Sequence, residues 1–410
     1  MTDLSGRARE FVAWRDDAER QARGRLRLYH CRRWNGRLRP RQSPDGGSVD
    51  TLAPSGGRRI RPLPLGPHPG RLWQLGNVGW AWGDVLPYFI KSEDHHAGAS
   101  DLHGSGGEWK VSRQRVHWDI LKAVQEGAKE FSIMRRADFN DGSNEGTGFF
   151  EVNQKNGVRW STARGFLRPA LRRRNLRLLT HAETEKIMVE GGRVTGVRFR
   201  LNHRSVEARA RCEVILAAGA INTPKILEMS GIGDPELLQK LGIKTVLDRP
   251  AVGENLQDHL QIRTVFKVSG AKTLNTLANS KWGKARIGLQ YLVTQSGPMS
   301  MAPSQFGMFT KFDPSLTMPN LEYHVQPLST NRLGEPLHPF PAITMSVCNL
   351  RPDSVGSCHV TNLDHTVQPD IRPSYEPSLS VTIVEGAKPY LFRRLRINRS
   401  AALGGRSAPA

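Results

Sequence analysis

Apolar positions in the middle of the chain repeat at helical or strand periods and predict several regular elements. Residues 119–128 carry apolar side chains at helical spacing, which predicts an amphipathic helix. Residues 184–188 and 194–201 flank a Glu-Gly-Gly turn signal and predict a hairpin. Further strands are predicted at 176–180, 306–312, 320–326 and 342–350. The last three would form a sheet whose inward side chains shape a pocket.

The apolar run at 214–218 is the start of the most informative local pattern. It is too short for a helix and predicts a buried strand. Thr223 as N-cap and Pro224 at the first helical position predict that a helix begins there. Gly231 predicts its end, because glycine readily takes a positive φ. The run therefore predicts a strand, a turn and a helix in direct succession.

Small residues at the turn suggest a ligand. Ala218 and Gly219 would let a ligand approach the backbone at the C-terminal end of the strand, where dinucleotides bind in open α/β sheets. An ordinary strand–turn–helix corner explains the same residues without any ligand.

Composition limits the classes of protein that fit. The 410 residues suffice for two or three domains, and 38% of them are hydrophobic. No run of 18 apolar residues occurs and the N-terminus has no apolar signal stretch, so we expect no transmembrane segment. The four cysteines are widely spread and lack paired histidines, which argues against a cysteine zinc site. We expect a reducing, cytoplasmic location.

The net charge of +21 raises the possibility of nucleic-acid binding. Residues 1–70 contain fifteen Arg, no Lys and seven acidic residues, and residues 389–410 contain five Arg without Lys or acid. Such segments lack the interleaved aromatic residues of a nucleic-acid platform. We therefore expect no nucleic-acid partner, and a basic binding protein stays the less favoured alternative.

A series of motifs shares its order with one enzyme family. The stretch from Gly219 to Gly233 fits that family's second signature at every specified position. The other matching segments are 80–89, the Lys-Ser-Glu-Asp turn at 91–94, 138–140, 145–148, 157–161, 164–167, 174–176, 252–259 and 350–352. On these motifs the sequence resembles the glucose–methanol–choline (GMC) oxidoreductases over roughly residues 71 to 388.

The resemblance implies FAD as cofactor and a small-molecule alcohol as substrate, with hydride passing from a CH–OH group to the flavin as in choline and alcohol dehydrogenases. It also implies an α/β fold, with an incomplete Rossmann-like FAD-binding domain at 71–260. An α+β substrate-binding domain built on an antiparallel sheet is expected at 261–388. The oligomeric state is left open.

The resemblance also assigns residues to the cofactor. It places the backbone of Thr184 against the FAD adenine, although an edge-strand Thr is an equally good interpretation. Ala218, Gly219 and Asn255 are the other expected FAD-binding positions.

Several histidines invite a catalytic or metal-binding interpretation that we do not favour. His259 follows an acid, but in the family its block is a structural turn, so we expect it to be non-catalytic. His95 and His96 are expected in a solvated turn, and no metal site is predicted. The family's catalytic His pair belongs beyond residue 388, where the match ends, so no catalytic residue is assigned.

The Arg-rich first segment, residues 1–70, departs from the family, which begins with a strand, Gly-x-Gly-x-x-Gly and a helix that holds the FAD pyrophosphate. This segment lacks that motif, has no clear periodicity and is expected to be disordered. The family's Gly/Ser-rich flavin-lining loop has no counterpart at 56–70.

A shifted reading frame would explain this departure. When one base is dropped from a permitted back-translation of residues 28–44, the result is an apolar strand, a Gly-x-Gly-x-x-Gly turn and a helix start. We hypothesise that the chain before about residue 70 is read in a shifted frame, which sequencing the gene would test. A similar origin is expected for the tail at 389–410. The alternative function is then a truncated, inactive form of such an enzyme without FAD.

Overall fold

The computed structural model of the protein describes residues 78–332 and 334–375, together with two short strands nearer the N-terminus. The helices are α1 Trp82–Ser92, α2 Asp119–Lys129, α3 Arg168–Ala170, α4 Gly219–Met229, α5 Pro235–Lys240, α6 Leu274–Ala278 and α7 Lys281–Thr294, with a π-helical turn at Ala163–Leu167 and a 3-10 turn at Pro298–Ser300.

The strands are short and mostly antiparallel. They are β1 Val12–Trp14, β2 Leu26–Leu28, β3 Glu93–His95, β4 Trp109–Val111, β5 Gly146–Phe149, β6 Gln154–Lys155, β7 Val158–Arg159, β8 Arg177–Leu179, β9 Glu183–Glu190, β10 Arg193–Leu201, β11 Arg204–Ala210, β12 Ile232–Gly233, β13 Leu247–Asp248, β14 Glu254–Leu256, β15 Gln261–Lys267, β16 Phe306–Thr310, β17 Leu321–Gln326, β18 Ala342–Asn349, β19 Gly356–His359 and β20 Asp370–Arg372.

The larger core lies on a five-stranded antiparallel sheet in the order β15-β18-β17-β16-β5. Helix α2 covers it with Leu121 and Val124, which share a buried cluster with Phe306 and Tyr323 of the sheet. The predicted amphipathic helix and the three predicted strands of this sheet are confirmed. Strand β5 joins the sheet from a much earlier part of the chain by pairing with β16.

The second core lies between the β9–β10–β11 meander and helix α4. Strand β2 pairs in parallel with β11 at the edge of this sheet. The predicted hairpin is confirmed, and its turn glycines Gly191 and Gly192 have φ of 58° and 76°. Ile226 of α4 packs with Phe199 and Ala208 of the meander. This packing fixes the axis of α4 against the sheet.

A three-stranded sheet in the order β14-β19-β20 contacts α4 through β19. Gly253, with φ of 85°, leads into β14. A Cβ there would stand 2.5 Å from the Cys358 carbonyl oxygen, so only glycine fits at this crossing. The crossing brings the 252–259 block against β19.

The predicted buried strand at 214–218 is wrong. The segment forms no strand and pairs with no strand of the described chain, and Ile215 is 68% exposed. Val214, Leu216 and Ala218 pack on the meander, so only alternate side chains are covered. The apolar residues of this segment therefore indicate that one of its faces is covered, and not that it is a strand buried on both faces.

The predicted helix start is also wrong, because α4 begins at Gly219 and not at Thr223. Pro224 lies inside the helix, where it removes one backbone hydrogen bond. The predicted end is confirmed: Ser230 is the C-cap and Gly231 has φ of 83°.

Regular structure also occurs where none was predicted, since β1 and β2 lie within residues 1–70. The rest of that segment and the tail at 389–410 lie outside the described residues. In the part of the chain that is described, the longest helix is α7 with 14 residues, and no helix is long and apolar enough to cross a membrane.

Candidate functional site

The N-terminus of α4 carries two of the predicted cofactor-binding residues. Ala218 is the N-cap and offers no side-chain hydrogen bond to the first amides of the helix. Gly219 has φ of 85°, and nothing lies within 4 Å of where its Cβ would stand. Because the first N–H groups of a helix have no intrahelical acceptor, this end can offer donors to an anionic ligand. The local geometry fits the approach of a nucleotide phosphate.

The other two predicted residues lie on strands of two different sheets. Thr184 is half-buried on β9 opposite Phe199, on the sheet that α4 covers. Asn255 is exposed on β14, has φ of 60° and stands at a register shift in the pairing with β19. Asparagine tolerates this left-handed conformation better than most residues.

Helix α4 is tied to β19 and β14 through a buried carboxylate. Glu228 is fully buried, and its two oxygens face His359 Nδ1 at 2.7 Å and the Val360 amide N at 2.8 Å. The second nitrogen of His359 faces Glu254 at 2.9 Å, and Asn255 is the next residue. The chain Glu228–His359–Glu254 therefore fixes β14 and β19 to the helix that carries Gly219.

His359 is poised to hold a proton between these two acids. Burial by itself would lower the pKa of His359, but the hydrogen bonds with Glu228 and Glu254 outweigh it and raise that pKa above its ordinary value. The folded state therefore favours the imidazolium form. Sequence reasoning missed this contact because Glu228 and His359 are 131 positions apart.

The 252–259 block makes structural contacts. His259 Nε2 lies 3.2 Å from the Leu350 carbonyl oxygen, and Tyr375 donates its hydroxyl proton to Asp258 across 2.5 Å. The hydrogen bond to Asp258 raises the pKa of Tyr375. The non-catalytic role of His259 stays a prediction.

A second polar cluster was not anticipated. His95 is buried and not in a solvated turn, and its ring stacks on His103 with centroids 4.0 Å apart. His103 faces Glu93 through Nδ1 and Asp138 through Nε2, each at 2.9 Å. Burial alone would lower the pKa of His103, but the hydrogen bonds with the two acids raise it. The adjacent histidines His95 and His96 were the only sign of this cluster that we noted in the sequence. Their acidic partners lie far away along the chain and cannot be identified from residue spacing.

A cleft of about 320 Å³ lies beside this cluster. Its polar wall includes Glu93, Asp138 and Glu151, and its apolar wall includes Phe149 and Phe309. A cleft of this size is at the lower end of the range for small-molecule sites.

Comparison with known proteins agrees with this architecture. Residues 72–261 match the GMC oxidoreductase family model. The chain is 33% identical over 321 residues to alcohol dehydrogenase [acceptor] of Pseudomonas putida, a match of 77% of this chain and 58% of that protein. It is 34% identical over 304 residues to the mitochondrial choline dehydrogenase of Homo sapiens, covering 74% of this chain and 51% of the relative. The chain thus spans about half the length of these relatives.

Among solved structures, an FAD-dependent oxidoreductase from Chaetomium thermophilum aligns with a TM-score of 0.68 at 20% identity. The alignment covers 80% of this chain and 66% of that one. This likeness establishes the fold, and it confirms the predicted α/β class with antiparallel sheets. The motifs, the family match and the shared fold agree: residues 72–261 of this chain are a GMC oxidoreductase family domain.

Proposed function

We propose that the protein is an FAD-dependent oxidoreductase that acts on the CH–OH group of a small-molecule alcohol. Its family membership supports redox chemistry, and relatives named alcohol dehydrogenase and choline dehydrogenase support an alcohol as the substrate class. The single observation that carries the proposal is the open N-terminus of α4 at Ala218 and Gly219, inside the family's second signature.

Four residues would hold the cofactor. Thr184 would support the adenine, Ala218 and Gly219 would give the backbone access to the nucleotide, and Asn255 would approach from β14. The helix N-terminus favours negative charge there. When bound, FAD supplies the hydride acceptor. This chain's own residues would bind and orient it, and the Glu228–His359–Glu254 connection would hold the strand that carries Asn255.

We also retain the division of labour that the resemblance implies. Residues 71–260 would bind FAD, and 261–388 would bind the alcohol on the five-stranded sheet. Strand β5 of the first part pairs with β16 of the second part, so the two parts share one sheet. No catalytic base is assigned, and a cytoplasmic location is proposed from the sequence.

The test is reconstitution of the full chain with FAD, followed by visible spectroscopy after removal of free flavin. We expect retained flavin absorbance in the wild type and a several-fold loss of retained FAD in Gly219→Ala. Gly242→Ala is the matched control, because Gly242 also has a positive φ with nothing within 4 Å of its Cβ position. Equal retention in the two variants would contradict the assignment of Gly219.

The second candidate is an inactive form without FAD. The specific observation in its favour is that residues 1–70 contain no Gly-x-Gly-x-x-Gly motif. A colourless wild-type protein after reconstitution would favour this candidate. A yellow protein whose flavin is bleached by an alcohol under anaerobic conditions would exclude it.

A further inference from the structure

Three imidazoles and three carboxylates meet in one network that the proposed redox chemistry does not use. They are His95, His96, His103, Glu93, Asp138 and Glu151. The three rings lie side by side, with centroid distances of 4.5 Å from His95 to His96 and 4.0 Å from His95 to His103. Such a density of nitrogen and oxygen donors is typical of a metal centre.

One candidate set of metal ligands is centred on Glu151. Its two carboxylate oxygens face His95 Nε2 at 2.8 Å and His96 Nε2 at 2.5 Å. One donor atom from each of the three residues lies within 4.8 Å of the others. Zn²⁺ binds such ligands at about 2.0–2.2 Å, which separates neighbouring donors in a tetrahedron by roughly 3.3 Å. To admit the ion, Glu151 would have to move about 0.5 Å further from His95 Nε2 and about 0.8 Å further from His96 Nε2.

The surroundings hold these ligands in place. The side chains of His95 and Glu151 are 4% and 14% exposed, and His96 is 22% exposed. His103 supports His95 by ring stacking and is itself fixed between Glu93 and Asp138. Across residues 78–332 and 334–375, these three acids form ion pairs only with histidine, so no Lys or Arg there supplies them with a permanent positive charge.

The cleft beside the network gives access to it. Glu151 lines the 320 Å³ space together with Glu93 and Asp138. Three protein ligands leave the fourth position of a tetrahedral ion open, as in zinc sites that keep a water molecule. That position would face the cleft.

From this arrangement we propose that His95, His96 and Glu151 bind one divalent transition-metal ion of the Zn²⁺ type. Two imidazoles and one carboxylate suit Zn²⁺ and its neighbours, whereas Mg²⁺ and Ca²⁺ require oxygen ligands. Binding at His95 Nε2 moves the ring proton to Nδ1. Nδ1 then no longer accepts the hydrogen bond that the Ala97 amide N–H donates to it. That bond is long, at 3.3 Å.

The experiment is Zn²⁺ titration of the full chain after dialysis against a chelator, by calorimetry and by metal analysis of the dialysed product. We expect one Zn²⁺ per chain, undisturbed by excess Mg²⁺. Glu151→Gln and His96→Gln should each weaken Zn²⁺ binding at least about tenfold, because even groups that only orient ligands contribute that much. His203→Gln, at an exposed turn histidine, is the matched control and should bind as the wild type does.

Co²⁺ loading gives a second measurement on the wild type alone. A four- or five-coordinate Co²⁺ with imidazole ligands should absorb visibly, and Zn²⁺ should abolish the absorbance. Absence of both stoichiometric Zn²⁺ binding and the Co²⁺ spectrum would overturn the proposal. Zn²⁺ binding that is unchanged in Glu151→Gln and His96→Gln would overturn it too. Flavin plays no part in either readout, so the result is separable from the FAD proposal.

Discussion

The carboxylate of Glu228 lies 2.7 Å from Nδ1 of His359, and Glu228 is completely buried at that contact. The same carboxylate accepts the backbone N–H of Val360. A buried carboxylate is tolerated only when its oxygens are paired. The contact therefore fastens β19 to α4.

Replacing this carboxylate should destabilise the fold. In Glu228→Gln the charge is lost and one of the two acceptor oxygens becomes an NH₂ donor. Hydrogen bonds that involve charged groups contribute about 1.5–3 kcal/mol, and we expect a loss of that order in the free energy of unfolding. Urea unfolding followed by circular dichroism measures it. Glu236→Gln, at an exposed residue of α5, should change stability by less than about 0.5 kcal/mol; equal effects would contradict the prediction.

The raised pKa of His359 predicts a specific pH dependence. Because the folded-state pKa lies above the unfolded one, the contribution is complete below the unfolded pKa of about 6.5 and disappears as pH rises through the folded value. The stability difference between the wild type and His359→Gln should therefore be larger at pH 5.5 than at pH 8.5. Urea unfolding at the two pH values tests this, and a difference that grows with pH would refute it.

Thiol reactivity should distinguish the described cysteines. Burial, together with nearby Glu322, raises the pKa of Cys348 to about 12, so its thiolate is scarce at pH 8. Cys212 is exposed. With iodoacetamide on the native protein at pH 8, mass spectrometry should find Cys212 labelled and Cys348 protected. Labelling after denaturation is the control, and there both should react.

The core beneath α2 should be sensitive to truncation. Leu121 is fully buried in the cluster on the five-stranded sheet. Leu121→Ala should cost about 2–5 kcal/mol of unfolding free energy, because it leaves a cavity. Leu292→Ala on α7 is the matched control, since Leu292 is 79% exposed. Thermal and urea unfolding measure both, and a cost below about 1 kcal/mol at Leu121 would argue against this packing.

Sequence patterns predicted the elements whose stability comes from one buried face. Apolar residues recur at the helical or strand period in each of these elements, which are helix α2, the β9–β10 hairpin and strands β16, β17 and β18. The prediction for 214–218 failed because apolar composition does not reveal that only alternate side chains of the segment are covered. The predicted start of α4 failed because Thr223-Pro224 is a good helix start in isolation, whereas the helix already begins at Gly219.

The polar networks were beyond such patterns. His95 meets Glu151 across 56 positions and Glu228 meets His359 across 131. Contacts of this kind depend on which strands become neighbours, and that is set by the whole topology. The four predicted FAD-binding residues depend on a family resemblance and not on periodicity, so they stay predictions for the flavin-retention test.

The pairing of β5 with β16 has a consequence for biosynthesis. The ribosome releases residues 146–149 long before it has made 306–310, so β5 must wait with unpaired backbone groups for its neighbour. Closing so long a loop is slow, and an unpaired strand attracts other nascent chains. Yield in a heterologous host should therefore depend on chaperone supply and on the rate of translation.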